Sequence, residues 1–586
     1  MQFSFPLDYD FILRKKRSLK RELLNKDLNF LKKRIAILGG STTAEIKDIL
    51  EIFLLDLGIL PTFYESEFNK YYEDAVFGNE ELNDFKPDLI YIHTSFVNLK
   101  LPILNLQNMQ KSLDDEISKI KEIWKSLERF NCCIIQNNFE LPNTRLLGNL
   151  DGLQGRVFFI RELNYKISQL MQSSSNIFLH DINYLSAMIG IEKWFDKKLF
   201  YQAKYAMSME GIVELSFSLS HLIGAIFGKS KKALVLDLDN TCWGGVIGDD
   251  GIGGIAIGDE TALGESYSAF QQYVLELKQR GIILSVCSKN EFNNAKEGFS
   301  HPRSVLKYDD FACFIANWEL KNQNIQTIAK NLNIGEDSLV FIDDNPSERE
   351  VVSLTLPQVA VPNVGSDVID FIAHIDRNYY FETIGISSDD LERSAYYLQN
   401  SKRQMEQSSF KDYSDFLKSL QMKAEILPFS AIYLDRITQL INKTNQFNCT
   451  TKRYDLASIE QISKSDEYIT LYGKLIDKYG DNGLIAISIG RLEKDVCHID
   501  LWLMSCRVLK RNMEYAMLDE FIRIAKTKEA RKIIGYYIKS AKNNMVARLY
   551  GDFGFKLIEE DENGSIWELD IVEYKNKNLL IGVNCG

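Results

Sequence analysis

The sequence lacks the features of a membrane protein or of a general nucleic-acid binder. No apolar run reaches the length of about 18 residues that suggests a membrane span. The N-terminus has neither the basic-then-apolar order nor the small-residue cleavage site of a signal peptide. Acidic residues outnumber basic ones by 81 to 69, which argues against binding a phosphate backbone. We expect a cytoplasmic protein with no membrane and no nucleic-acid partner.

Paired cysteines are also missing. The sequence has nine cysteines, but none of them forms a CxxC motif. Neither a zinc site nor a disulfide framework is therefore indicated, and several cysteines lie in apolar strand patterns where they act as small core residues. A reducing compartment fits this pattern.

Length and composition predict several ordinary globular domains. The chain has 586 residues, 45% hydrophobic and 26% charged, which gives a prior of roughly three to four domains. In the first 228 residues, apolar strand patterns alternate with charged helical patterns. Such alternation predicts an α/β domain with a parallel sheet covered on both faces.

A glycine turn and a hydroxyl cluster, GGSTT, follow the first strand pattern of this domain, within residues 34–43. The turn resembles the nucleophile block of the SGNH hydrolases, which would make Ser41 a nucleophile with His180 and Asp181 as candidate partners. The other interpretation is that Ser41 is a helix N-cap after a tight turn, a position that Ser fills routinely.

Two carboxylates end the apolar run at KKALVLDLDNT, which is the centre of the second region. Asp237 and Asp239 follow a predicted buried parallel strand, and ligands of open α/β sheets bind at the carboxyl ends of the strands. A carboxylate nucleophile and a second carboxyl two residues later suit phosphoryl transfer, the second acting as general acid and base. Alone, a DxD motif is more often a pair of exposed acids in a turn, and further motifs are needed to indicate a site.

Two later strand patterns also end in polar groups, at VCSKN and at FIDDN. This order of motifs resembles the haloacid dehalogenase (HAD) superfamily. The resemblance makes Asp237 the nucleophile, Asp239 the acid/base, and Ser288 and Lys321 the phosphate-binding residues. It also implies a Mg²⁺ site whose candidate ligands are Asp237, Asp239, Asp343 and Asp344. Mg²⁺ prefers such hard oxygen ligands.

A glycine-rich extension, residues 243–258, follows the first motif and is too short for a large cap domain. We therefore expect a site open to a long or macromolecular substrate. DLDNTCWGGVIGDDG, VCSKN, NWELKNQNI and FIDDNPSEREVV resemble the FkbH-like family of HAD proteins, and the likeness extends over most of the chain. Cys242 replaces the family's usual Leu and places a thiol beside the nucleophile.

The region after residue 411 has an α+β pattern that resembles the GNAT acyltransferases. RVLKRN occupies the place of their phosphate-binding loop, but Lys510 stands where a glycine is usual. Arg507 and Lys510 are therefore either ligands of a carrier-bound phosphopantetheine or solvated residues at a helix N-terminus. Asn445 and Gln446, in NKTNQFN, are either ligand contacts or turn residues.

Cys506 lies in the SCRVL block of the same region, next to an arginine. A thiol beside a cation can have a lowered pKa and carry an acyl group, whereas the alternative is a buried strand cysteine. By the family resemblance, this thiol is the candidate acyl carrier, with Cys242 as the other possibility.

The fold class predicted is multidomain α/β: an SGNH-like domain (1–228), a HAD-type sheet (229–385), a connector helix (386–410) and a GNAT-like α+β domain (411–586). The resemblance implies an enzyme that takes a glyceryl unit from 1,3-bisphosphoglycerate, a three-carbon phosphate. The enzyme would remove its phosphate and transfer the unit through a cysteine thioester to an acyl carrier protein. The alternatives are a phosphatase or acyltransferase of polysaccharide or lipid assembly, and an inactive scaffold.

Overall fold

The computed structural model describes residues 3–26, 30–101, 106–174, 176–386, 391, 396, 397, 399, 403, 410, 412–505, 508–540 and 542–584. The chain divides into two compact units, Met1–Lys229 and Ser230–Gly586. The division into four segments stays a prediction, and most of the predicted connector lies outside the described residues.

The first unit is an α/β domain built on a parallel sheet in the order β2-β1-β3-β4-β5. The strands are β1 (Leu31–Gly39), β2 (Ile59–Glu65), β3 (Leu89–His93), β4 (Cys133–Asn137) and β5 (Ile177–His180). The helices are α1 (Tyr9–Leu24), α2 (Ala44–Asp56), α3 (Tyr71–Val76), α4 (Glu80–Phe85), α5 (Leu106–Leu127), α6 (Asp151–Gln154), α7 (Arg156–Gln172), α8 (Ile182–Ile189), α9 (Ile191–Trp194), α10 (Lys197–Ala203) and α11 (Met209–Ile226).

Helix α11 passes through the core of this unit. Among the described residues, it is the one helix that is long and apolar enough to cross a membrane, and 78% of its apolar window is buried inside the protein. Its burial is that of a core helix, in contact with α2.

The second unit begins with a parallel sheet in the order β8-β7-β6-β9. Its strands are β6 (Ala233–Leu236), β7 (Ile283–Ser288), β8 (Cys313–Ala316) and β9 (Leu339–Ile342). The helices of this part are α12 (Ile247–Asp250), α13 (Ala262–Gln279), α14 (Phe292–Gly298), α15 (Lys321–Leu332), α16 (Pro346–Thr355) and α17 (Phe371–Asp376). The strands are short, apolar and fully buried in β6, β7 and β9, as expected for a parallel sheet covered on both faces.

The rest of the second unit forms a mixed sheet in the order β15-β16-β14-β13-β12-β11-β10-β17. Its strands are β10 (Lys423–Leu427), β11 (Tyr468–Asp477), β12 (Gly480–Glu493), β13 (Val496–Met504), β14 (Lys532–Ile538), β15 (Lys556–Asp561), β16 (Gly564–Asp570) and β17 (Gly582–Asn584). The helices are α18 (Tyr413–Ser419), α19 (Leu434–Lys443), α20 (Leu456–Lys464), α21 (Met513–Thr527) and α22 (Leu549–Asp552). The predicted class, α/β with an α+β region at the C-terminus, is confirmed.

Strands β13 and β14 are a parallel pair that separates part of the way along. Their ladder runs from Val496 to Ile499 on β13, although β13 continues to Met504 and β14 to Ile538. The extra residue Asp500 forms a bulge against β12 at this point, between the pairs that join Gly490 to Ile499 and Ile489 to Leu501. A bulge bends its strand and increases the local twist, which explains the divergence.

Candidate active site

Asp237 and Asp343 each come directly after a strand, and these two strands are neighbours that end at the same edge of the sheet. Leu236 at the end of β6 pairs with Ile342 at the end of β9, and the next residues are Asp237 and Asp343. The Asp237 N–H donates to the Ile342 carbonyl at 2.9 Å, which holds the two strand ends together. The parallel register therefore brings residues 106 positions apart in sequence into one site.

Three carboxylates and one ammonium form the centre of this site. Oxygens of Asp237, Asp343 and Asp344 all lie within 4.8 Å of one another. The Lys321 Nζ lies 3.0 Å from Asp237 Oδ2 and 2.5 Å from Asp343 Oδ2. Burial lowers the pKa of Lys321, but the two carboxylates outweigh burial and raise it, so the lysine stays charged. With the acids ionised, the site carries an excess of negative charge that suits a divalent cation.

One oxygen of Asp237 lacks a partner in the part of the chain that the structure describes. Asp237 is 7% exposed, and no described residue hydrogen-bonds to its Oδ1, while Oδ2 faces Lys321. Buried carboxylate oxygens are nearly always paired, so an orphaned one indicates a position for a metal ion or a substrate. Asp237 thus presents an oxygen that is fixed in direction by the lysine on its other side.

Asp239 is held apart from this cluster by donors of its own. Its Oδ1 accepts from the Trp243 indole N–H at 2.9 Å and from the Ile247 N–H at 3.1 Å, and its Oδ2 accepts from the Asn290 amide at 2.9 Å. Burial raises the pKa of Asp239 and outweighs the lowering by these bonds. Among the described residues, the group of neighbouring carboxylates consists of Asp237, Asp343 and Asp344 and does not include Asp239. The structure therefore brings together three of the four predicted metal ligands.

Arg349 positions the loop that carries two of these acids. Its Nη1 donates to the carbonyls of Asp343 at 2.6 Å, Asp344 at 2.8 Å and Gly365 at 3.1 Å, and its Nη2 donates to Asn363. The guanidinium is 8% exposed and makes no contact with the carboxylates of the cluster in these bonds. It therefore fixes the backbone of the loop through these bonds, and its charge acts on the carboxylates of Asp343 and Asp344 without direct contact.

The two predicted phosphate-binding residues come from the neighbouring elements. Lys321 is the first residue of α15, and Ser288 is the last residue of β7, which pairs with β6. Both are buried, at 3% and 2% exposure. The structure places them where the strands that carry the acids end.

Cys242 is fully buried beside Asp237. Its thiol donates to the Asp237 carbonyl at 3.3 Å. Burial and the two neighbouring carboxylates raise its pKa well above the ordinary value, so the reactive thiolate is disfavoured. The geometry gives Cys242 a structural role in the turn after β6.

Most of the first unit matches a known domain family. The model of the FkbH N-terminal domain matches residues 34–222. Among solved structures, the N-terminal part of BF1531 from Bacteroides fragilis, which contains a phosphatase domain and was crystallised with Mg, is 32% identical. The match covers 63% of this chain and 99% of that one, with a TM-score of 0.58.

The chain belongs to the FkbH-like family. No curated protein matches its sequence. The C-terminal region aligns with the ribosomal-protein-S18-alanine N-acetyltransferase of Escherichia coli at 11% identity and a TM-score of 0.21, over 27% of this chain and 99% of that one. It also aligns with the PaiA N-acetyltransferase of Thermoplasma acidophilum at 15% identity and a TM-score of 0.18, and the match covers 25% of this chain and 99% of that one. These TM-scores are too low to support an inference.

In this FkbH-like chain, Cys506 and Arg507 lie outside the described residues. Lys510 is exposed and has a left-handed backbone, with φ of 64°, and its carbonyl accepts from the Tyr413 hydroxyl at 2.7 Å. The neighbouring Arg511 is buried and pairs with Asp477 at 3.1 Å, so it does not face solvent. The left-handed residue explains how the chain turns here without a glycine.

The NKTNQFN segment fills the opening between β13 and β14. The Met504 N–H donates to the Phe447 carbonyl and the Cys449 N–H donates to the Trp502 carbonyl, both at 3.0 Å, while the Ile538 N–H donates to the Cys449 carbonyl at 2.8 Å. Residues 447–449 therefore form backbone bonds with both diverging strands. Of the predicted ligand contacts beside them, Asn445 accepts from Arg453, and Gln446 is half-buried.

The N-cap interpretation of Ser41 is wrong. Thr43 occupies the N-cap of α2, and Ser41 is 3% exposed with no partner for its Oγ among the described residues. Its candidate partners are engaged elsewhere: His180 contacts the hydroxyls of Tyr91 and Ser218, and Asp181 caps α8 and binds Asn138. These bonds do not join Ser41 to His180 or Asp181.

Three residues at the site are not among those predicted from the sequence: Trp243, Asn290 and Arg349. Asn290 lies two residues after Ser288, so its closeness to Asp239 could have been inferred from the strand end. The signal for Trp243 was its place four residues after Asp239. Nothing in the local sequence signals the role of Arg349, since it depends on a carbonyl of Gly365 in a later loop.

Proposed function

We propose that this FkbH-like protein is a Mg²⁺-dependent phosphatase coupled to acyl transfer, acting on a three-carbon phosphate in the cytoplasm. The single observation that supports phosphatase activity is the unpartnered Asp237 Oδ1. Asp237 lies beside Lys321, Asp343 and Asp344 at the ends of parallel strands. The relative from Bacteroides fragilis, described as containing a phosphatase domain with Mg, supports this proposal.

The residues present fit a magnesium ion. Asp237, Asp343 and Asp344 would hold it, because they offer hard oxygens within 4.8 Å of one another. When bound, the ion would neutralise charge on the transferring phosphoryl group.

The protein residues divide the chemistry of phosphate removal between them. Asp237 Oδ1 attacks phosphorus, the bond from phosphorus to the substrate oxygen breaks, and Asp239 donates a proton to that leaving oxygen. Asp239 then takes a proton from the water that hydrolyses the aspartyl-phosphate. Lys321 and Ser288 hold the nonbridging oxygens. The bonds from Trp243, Asn290 and the Ile247 N–H keep the Asp239 carboxyl in place between the two steps.

The acyl transfer requires a thiol. In the proposed reaction, 1,3-bisphosphoglycerate reacts at its acyl carbon with the Cys506 thiolate, the bond to the 1-phosphate breaks and inorganic phosphate leaves. The 3-phosphate is removed at Asp237, and the glyceryl group passes to the pantetheine thiol of an acyl carrier protein. Cys242 is unsuited to this role, because its thiol is buried against the Asp237 carbonyl.

Intact-mass measurement after incubation with 1,3-bisphosphoglycerate and Mg²⁺ tests this proposal. Wild type and the matched variant Cys242→Ala should acquire a glyceryl adduct, and Cys506→Ala should not. Asp237→Asn should keep the adduct with its 3-phosphate attached: the 1-phosphate still leaves when the thioester forms, but release of the 3-phosphate should fall by about 10³-fold or more. An equal adduct on Cys506→Ala would refute the assignment of that thiol.

The inactive scaffold is a separate outcome of the same experiment. If wild type releases no phosphate above the rate of Asp237→Asn, the site has no phosphatase activity on this substrate. If phosphate is released but no adduct forms in any variant, the phosphatase stands without the acyl transfer. That outcome favours a phosphatase of polysaccharide or lipid assembly.

A further inference from the structure

The first unit contains buried polar atoms that none of the proposed chemistry uses. Six of its residues, Trp124 and Arg156 among them, have side-chain N or O atoms without a hydrogen-bond partner among the described residues. The other four are Ser41 (Oγ), His93 (Nε2), Glu140 (both carboxylate oxygens) and Trp194 (Nε1). They are between 0% and 3% exposed. Buried polar groups are almost always paired, so several such groups in one domain require an explanation.

Sheet topology places two of them in a crevice. In the order β2-β1-β3-β4-β5 the connections reverse direction between β1 and β3, which is where open α/β sheets bind ligands. Ser41 lies two residues after β1, and His93 is the last residue of β3. The Gly40 N–H donates to the His93 carbonyl at 2.8 Å, and Asn98 donates to the Gly40 carbonyl at 2.7 Å.

Glu140 and Trp194 adjoin the same crevice through the segment after β3. Burial raises the pKa of Glu140 to about 7, although the Ser95 hydroxyl, the Phe96 N–H and the Trp194 indole oppose this rise. These donors are therefore neighbours of the carboxyl, but they do not meet it in the geometry of a full hydrogen bond. Ser95 and Phe96 lie two and three residues after His93 in the chain.

The segment from Trp194 to Lys204, which contains α10, covers this crevice. The Phe195 ring packs on the Phe96 ring with 5.3 Å between centroids. Thr42, next to Ser41, donates its hydroxyl to the Ala203 carbonyl at 2.7 Å and its N–H to the Lys204 carbonyl at 3.1 Å. The cover explains why the polar groups are shielded from solvent.

The chemistry of the four groups favours an uncharged ligand. Burial lowers the pKa of His93 to about 4, so its ring is neutral at neutral pH, and Glu140 is partly protonated there. None of the four groups supplies a positive charge for a phosphate or a carboxylate. Trp194 can only donate, whereas Ser41 and a protonated Glu140 can donate and accept, as the hydroxyls of a ligand also do.

We propose that the first unit has a second ligand site at Ser41, His93, Glu140 and Trp194 that binds a small uncharged group with neighbouring hydroxyls. The choice of a diol rests on the proposed function, because a glyceryl group is an uncharged vicinal diol once its phosphate is gone. The site would hold the dephosphorylated acyl group.

Ligand-observed NMR titration of the full-length protein tests this site, with glyceramide as the diol probe. We expect glyceramide to bind wild type at least ten-fold more tightly than propionamide, which has the amide without the hydroxyls. Ser41→Ala and Trp194→Phe should each weaken glyceramide binding at least ten-fold, and Trp318→Phe, which changes an exposed tryptophan, should leave it unchanged. Near-UV circular dichroism of each variant confirms that the fold is kept.

Two outcomes would overturn the proposal. Unchanged glyceramide affinity in folded Ser41→Ala and Trp194→Phe would mean that the probe binds elsewhere. Tighter binding of D-glycerate than of glyceramide, lost in the same variants, would mean that the site takes an anion. Asp237→Asn should retain glyceramide binding, so a failure of the phosphatase assay with glyceramide binding intact would refute the proposed function alone.

Discussion

At the scale of single residues, two buried carboxyls in this chain are held in opposite ways. Asp239 accepts three hydrogen bonds, from Trp243, Asn290 and the Ile247 N–H. Glu140 is fully buried and accepts none in full geometry among the described residues. The first is a carboxyl whose direction is fixed by its neighbours. The second stays in place through packing, and it should therefore affect stability as pH changes.

Replacing Glu140 tests this directly. The pKa of Glu140 is raised from the ordinary 4.5 to about 7, so the folded state keeps a proton that the unfolded state loses. The stabilising contribution is fully present below pH 4.5 and is lost as pH rises through 7. Relative to Glu140→Gln, wild type should lose up to about 3 kcal/mol of unfolding free energy between pH 5 and pH 8.

Urea denaturation at a series of pH values measures this change in unfolding free energy. The unfolding of the first unit is monitored by hydrogen exchange in peptides from residues 31–226. Glu128→Gln replaces an exposed glutamate in the same unit and should follow wild type throughout. A gap between wild type and Glu140→Gln that stays constant from pH 5 to pH 8 would contradict the raised pKa.

At the scale of elements, α16 supports the active site through one side chain. Arg349 holds the carbonyls of Asp343 and Asp344 in position. Lysine cannot reproduce a planar fork that bonds three carbonyls and an amide. Arg349→Lys should therefore raise the Mg²⁺ concentration for half-maximal phosphate release by about 10- to 100-fold, which is typical when a group that orients metal ligands is changed.

A Mg²⁺ titration of phosphate release checks this expectation. Arg303→Lys, on the exposed surface of the same unit, is the matched control and should behave as wild type. If Arg349→Lys lowers the maximal rate without shifting the Mg²⁺ dependence, Arg349 does not act through the metal-binding loop.

A second element-scale feature is the insertion of residues 447–449 between β13 and β14. Asn543 secures it, since its amide donates to the carbonyls of Asn448 at 2.9 Å and Ile538 at 2.8 Å, and its oxygen accepts from the Ser540 N–H at 2.7 Å. The residue is fully buried. Asn543→Ala leaves these groups unpaired, at a cost of about 1–3 kcal/mol for each buried group.

Hydrogen exchange is the appropriate measurement for Asn543→Ala. Amide exchange at residues 447–450 should accelerate by at least ten-fold, while exchange in β11 and β12 stays close to that of wild type. Asn563→Ala, in an exposed turn, is the control and should change neither region. Equal acceleration across the whole mixed sheet would mean that Asn543 supports the sheet rather than the insertion.

These elements show how far the sequence alone could lead. The ends of three strands were predictable. In each case an apolar run indicates a buried strand, and the polar residue that ends or follows it (Asp237, Ser288 or Asp343) marks the edge of the sheet. Thr43 instead of Ser41 at the N-cap was not predictable, since both are buried hydroxyl residues and the local sequence does not state where the helix begins. The insertion of residues 447–449 depends on the bulge at Asp500, which leaves no local signal.

At the scale of the whole molecule, the chain has two compact units, and the carboxylate cluster lies in the second. A ligand that binds only the folded state stabilises the unit that holds it, by about 2.7 kcal/mol at 100 times its dissociation constant. Mg²⁺ should therefore slow amide exchange in peptides that contain Asp237, Asp343 and their strands β6 and β9. Peptides of the first unit should not change, because its orphaned polar groups offer Mg²⁺ a single carboxyl, Glu140.

Hydrogen exchange of the full-length protein, with and without Mg²⁺, tests this separation of the two sites. Asp343→Asn is the control within the cluster: it removes charge from one ligand and should abolish the protection of β6 and β9. Glyceramide should give the converse pattern, with protection at residues 39–43 and 93–98 and none at β6 or β9. Protection of both units by either ligand alone would mean that the sites are coupled, because a ligand can only stabilise what it binds or what is linked to its site.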